Sequence, residues 1–212
     1  MSAATVVFMI VIFGYFSFTV PAAAISIDIN PSMELKINMY DKVIDVSSYN
    51  SEGEDLAETL NLKNLNYSDA VNTVLNNDFV LSCIESDELV EITVTGRFEN
   101  MVENMRKSIS EQSGIPEENI YCLSNSEMIK SAHEAGISFG KYRAYLELYE
   151  LDPDVTIEDI SDLTMRQIRE MINMKASGGL NFNGQTENGS SQNGNGYGNG
   201  NGNGNRFGNA DK

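Results

Sequence analysis

Histidine occurs once, tryptophan not at all and cysteine only twice in this chain of 212 residues, and each scarcity removes a class of function. The single His133 lies in a helical stretch with no second histidine and no Ser-His-Asp or Cys-His grouping to recruit it, so it reads as a structural or exposed residue. Cys83 and Cys122 are too few for a disulfide-rich scaffold or a four-ligand zinc site, and their apolar neighbours predict buried free thiols. Neither a P-loop nor a G-x-G-x-x-G after a strand occurs, which leaves no cofactor motif. Cations are short as well: Lys+Arg 14 against Asp+Glu 31 gives a net charge of -17, a surface that repels a phosphate backbone and argues against a nucleic-acid partner.

Charge of either sign is missing from Ala3 to Ile25, and here the absence becomes a feature. The run "ATVVFMIVIFGYFSFTV" has the apolarity of a segment that crosses a hydrocarbon core about 30 Å thick, which predicts a transmembrane helix over 1–24 with everything after it outside the cytoplasm. Tyr15, Phe16 and Phe18 suit an interfacial belt, and Pro21 suits its end. The alternative is a signal peptide cleaved after "PAAA", which would make the chain a secreted or wall-associated binding module; against it, no basic residue precedes the apolar run.

Beyond Ala24 the pattern is that of an α+β fold. Ile25, Ile27 and Ile29 alternate with polar residues, as do Met33, Leu35 and Ile37, predicting two strands with one buried face each. Further strands are expected at 43–46, 89–95 and 120–123. Ser68 is a candidate N-cap, Phe98 to Ile109 repeat at helical spacing until Gly114, and a third helix should end at Gly136. The expected fold class is a small mixed sheet with packed helices over 25–124, a helical extension over 125–176 that includes a Thr164/Gln167 capping box, and a disordered Gly/Asn tail over 177–212. A tail of that kind makes a polysaccharide or cell-wall ligand a candidate partner.

Acidic side chains are plentiful. Asp28 with Glu34, or Glu147 and Glu150 with Asp152, offer carboxylate pairs, but no spacing singles out a glycosidase pair, and a solvated acidic face is the expectation. Asn30-Pro31 by local rules is a turn. It also has a chemical option, because the Asn30 side-chain amide can attack its own backbone carbonyl, form a succinimide and expel the proline nitrogen.

The stretch "ISIDINPSMELKINMYDKVIDV" resembles the opening of the extracytoplasmic domain of RsgI-like anti-sigma factors, and "AGISFGKYRAYLELYELDPDVTIEDISDLTMRQIREMI" is similar to its helical end. The resemblance covers about residues 3–174. It implies that Asn30-Pro31 is a self-cleavage bond with Asp28 and Ser32 as flanking neighbours, that the two halves stay associated as paired strands, and that an intramembrane protease acts later. It implies no multiple-turnover enzyme. A sigma factor is an expected partner only if a domain exists upstream of Met1 and Ser2, where the family carries one.

Overall fold

A computed structural model describes residues 2–177; the tail expected over 177–212 lies, past Ser177, outside the described residues. The elements in chain order are α1 (Ala3–Thr19), β1 (Ala23–Asp28), β2 (Ser32–Ile37), β3 (Val43–Ser48), α2 (Ser51–Thr59), α3 (Tyr67–Leu75), α4 (Asp78–Glu85), β4 (Glu91–Gly96), α5 (Glu99–Ser113), β5 (Ile120–Leu123), α6 (Ser126–Glu134), α7 (Phe139–Leu151), α8 (Ile157–Ser161) and α9 (Met165–Ala176). The strands form one mixed sheet in the order β3-β2-β1-β4-β5, in which only the β4–β5 pair is parallel.

Strand β1 is therefore central. It is paired along all six residues to β2 on one side and to β4 on the other. The period of two sends Ile25, Ile27, Met33, Leu35, Ile92 and Val94 to one face, where Leu56 of α2, Val71 and Val74 of α3 and Met105 and Ile109 of α5 complete the main core. Gly114 takes a left-handed φ of 71° and ends α5, and the Thr164/Gln167 capping box opens α9.

The opposite face departs from expectation. Asp28 and Glu34 lie on no solvated acidic face: with Ser26, Ser32, Glu91 and Thr93 they are buried. Helix α7 crosses this face against β1 and β4, while Ala144 and Leu148 on its far side build a second apolar cluster with Ile160, Met165, Ile168 and Ile172. Alternation gives the same letters whether a polar row meets solvent or a helix that brings its own polar groups.

Three local expectations are also corrected. The apolar N-terminal helix runs for 17 residues, about 25 Å at 1.5 Å per residue, and no helix among the described residues is long and apolar enough to cross a membrane. Residues assigned to its end belong to the sheet instead: Ala23 and Ala24 start β1 and pair with Ile37 and Lys36. The N-cap of α3 is Asn66, whose Oδ1 accepts from both the backbone N–H and the hydroxyl of Ser68, which lies inside the helix. Cys122 is exposed because β5 is an edge strand, and Cys83 is half-buried. Helices α2 and α4 escape sequence reading because each buries so little, Gly53 and Leu56 in one and Val80 in the other.

Candidate functional site

Asn30 and Pro31 sit in the β1–β2 hairpin, where the Ile29 N–H donates to the Pro31 carbonyl at 3.1 Å. Pro31 is buried and Asn30 half-buried. Proline has no N–H to contribute to a ladder, so placing it in the turn leaves all six β1–β2 register pairs intact.

Below the turn, the Asp28 carboxylate accepts three hydroxyls: Ser26 at 2.7 Å, Ser32 at 2.5 Å and Ser138 at 2.5 Å. These come from β1, from β2 and from the N-cap of α7, which lies 110 residues away in sequence. Such charge-assisted bonds are the stronger kind and satisfy a buried anion. Glu34, two residues along β2 from Ser32, accepts the Phe139 backbone N–H at 2.8 Å, the Tyr49 hydroxyl at 3.0 Å and His133 Nε2 at 2.8 Å. The positive N-terminal end of α7 is thus aimed at two buried carboxylates. His133, read from sequence as structural or exposed, is half-exposed and stacks on the Tyr49 ring at 6.0 Å between centroids while holding Glu34.

Burial raises the Glu34 carboxyl above its ordinary value, against the opposing pull of Phe139 and His133. The folded state then holds the proton more tightly than the unfolded chain, and stability falls as pH climbs from the ordinary carboxylate value of 4.5 through the raised one. Urea midpoints measured across that window should drop for the parent and stay flatter for Glu34→Gln; parallel curves would refute the assignment.

A cleft of about 380 Å³ opens at the turn, lined by Asp28, Asn30, Ser32, Asn50, Lys141 and Ser161. Lys141 is buried, with Nζ donating to the Ser161 carbonyl at 2.8 Å, and burial lowers its pKa while Asp28 opposes the shift. Of the residues singled out from sequence, Asp28, Asn30, Pro31 and Ser32 are brought together by the hairpin. Asn50, Cys83, Ser138 and Gly140 come from remote segments and were not read as site residues. For Asn50 a signal existed: it precedes a Ser-Glu-Gly-Glu first turn, the mark of an N-cap. Among the described residues no group of three or more His, Cys, Asp or Glu side chains is placed to hold a metal ion.

Residues 22–147 match the family model described as the anti-sigma factor RsgI-like central domain. The chain is also similar to three proteins of Acetivibrio thermocellus. It is 28% identical to anti-sigma-I factor RsgI7 over 180 residues, 81% of this chain and 33% of the relative. It is 28% identical to anti-sigma-I factor RsgI6 over 69% of this chain and 21% of the relative, and 27% identical to anti-sigma-I factor RsgI9 over 71% and 23%. The chain therefore spans a third or less of the length of these relatives.

Proposed function

From the premise that this chain belongs to the family of RsgI-like anti-sigma factor central domains, we propose that it is the signal-transmitting part of an anti-sigma factor, attached to a membrane through the exposed apolar side chains of α1 and self-cleaved once between Asn30 and Pro31. A sigma factor would be bound by a part of the whole protein other than the matched domain. An intramembrane protease would act after the outer part is lost.

The observation that carries this reading is the position of β1. Scission after Asn30 would leave residues 1–30, α1 plus the central strand, paired to β2 and β4 on both sides. Backbone ladders on two edges, Ile25 and Ile27 fully buried, and the Asp28 carboxylate gripped by hydroxyls of the other fragment would all survive the cut. The two pieces separate only if the central strand is withdrawn, a step that force or ligand binding on the outer part would control. A leader cut after Ala24 fits less well, since it removes two paired residues of that strand.

The chemistry balances without a cofactor. Asn30 Nδ2 bonds to the Asn30 carbonyl carbon, the bond from that carbon to the Pro31 nitrogen breaks, and a proton from Nδ2 passes to the proline nitrogen through water. The products are a C-terminal succinimide, later opened by water, and a free Pro31 amine.

For the α1 membrane role, the support is a helix whose Val7, Phe8, Met9, Ile10, Val11 and Phe13 are all exposed. Expression of the full chain, fractionation and a denaturing gel test both parts of the proposal. Two fragments are expected, the larger beginning at Pro31, both in the membrane fraction; Asn30→Ala should give one uncut band, and deletion of residues 3–19 should release the protein. An uncut parent, or the same fragments from Asn30→Ala, would refute self-cleavage, and a parent chain found in the soluble fraction would refute the anchor.

A further inference from the structure

The hydrogen bonds around Asn30 determine which atom of its side chain is free to react. Asn50, the N-cap of α2, accepts through Oδ1 from two backbone donors, the Ser32 N–H at 3.0 Å and the Gly53 N–H at 2.9 Å. Two N–H donors leave no ambiguity about which end of that carboxamide is oxygen. Its Nδ2 is therefore the atom that faces Asn30 at 2.8 Å, and the Asn30 atom it meets must be the oxygen, Oδ1. Asn30 Nδ2 is left without a protein acceptor among the described residues.

Asn50 thus holds both neighbours of Pro31, the Asn30 side chain and the Ser32 N–H. The approach is close: a Cβ at Gly53 would lie 2.5 Å from the Ser32 carbonyl oxygen, so the first turn of α2 is pressed against the start of β2. On the backbone side of Asn30, the Cys83 thiol from α4 donates to the Asn30 carbonyl oxygen at 3.2 Å. Burial, with the charge of Glu88 adding to it, pushes the Cys83 thiol up, so it keeps the proton it donates.

Each contact matches a demand of the cyclisation. A donor on Oδ1 favours the imidate form in which the carboxamide nitrogen is nucleophilic. A donor on the backbone oxygen sits where negative charge builds as that nitrogen adds to the carbonyl carbon. Resting on the scission reading above, we propose that Asn50 and Cys83 are the positioning residues of the reaction, one directing the Asn30 side-chain nitrogen to attack and the other polarising the carbonyl it attacks.

Time courses of scission in freshly translated full-length chain test the pair, with thermal unfolding of each variant alongside. Asn50→Asp keeps the oxygen that caps α2 and binds the Ser32 N–H but loses the donor to Asn30; scission on the order of tenfold slower with an unfolding midpoint close to the parent's is expected. Cys83→Ala should slow scission on the order of tenfold, a thiol being a weak donor, and Cys83→Ser should recover part of the rate through its hydroxyl. A parent that cuts while Asn50→Asp and Cys83→Ala keep pace overturns this inference alone, and a Cys83→Ser rate no better than that of Cys83→Ala overturns the part given to Cys83. A parent that never cuts overturns the scission reading, and this inference with it.

Discussion

Gly140→Ala is expected to destabilise the folded chain by about 3 kcal/mol, the net of overpacking and lost buried hydrogen bonds against roughly 1 kcal/mol of helix propensity gained. A Cβ built on Gly140 lies 2.1 Å from Asp28 Oδ2, 3.0 Å from Ser26 Oγ and 3.1 Å from Thr93 Oγ1. The first of these distances is impossible, and the carboxylate cannot swing away cheaply because three hydroxyls hold it. Either α7 lifts from the sheet or Asp28 loses its partners while still buried. Chemical unfolding of the full chain gives the number, and a variant as stable as the parent would show that α7 does not seat as described. Scission should suffer too, since Ser32, next to the turn, is bonded to the same Asp28.

A comparable loss, about 3 kcal/mol, is expected from Glu91→Gln, because removing one member of a buried ion pair leaves the others uncompensated. Glu91 has 2% side-chain exposure, and Arg143 of α7 and Arg169 of α9 have 13% and 15%. Arg143 reaches Glu91 Oε2 at 2.5 Å, and Arg169 grips both Glu91 oxygens and also binds Glu147 at 2.6 Å. Arg143 lies over the Tyr121 ring at 3.5 Å from its centroid, which fastens the pair to β5. With Glu91 neutral, two guanidinium groups remain near the sheet with only the half-exposed Glu147 between them. Limited proteolysis should then cut within α7–α9 well before the sheet. Replacing Glu91, Arg143 and Arg169 together with apolar residues of like size should restore most of the loss, as the desolvation cost goes with them. If Glu91→Gln alone changed nothing, the network would be ornamental.

Both predictions concern the face of the sheet that sequence reading left to solvent, and the reason lies in particular residues. Ile25, Ile27, Met33 and Leu35 announce a strand pair with a buried side, and the buried side is where they put it. Gly114 and the Thr164/Gln167 box mark helix ends by local rules, and those ends hold. Ser68 does not cap α3 because the helix opens at Tyr67, so that Asn66 holds the cap position and its Oδ1 takes the Ser68 N–H and hydroxyl. Asn50 and Cys83 lie 20 and 53 residues from Asn30, and nothing in a window of local sequence connects them to it.

What the chain determined unaided is whatever depends on neighbours in sequence: the apolar N-terminal helix, the alternation that makes strands, and the Asn-Pro turn that joins two of them. What only the tertiary structure decided is which of the polar positions would be sealed from water and what they would touch there. Asp28 meets Ser138 from the far end of the chain, and Glu34 meets the N-terminus of α7. The physical reason is that a carboxylate reads alike in sequence whether water or three hydroxyls solvate it. The choice rests on a helix that packs across the sheet only once both have formed.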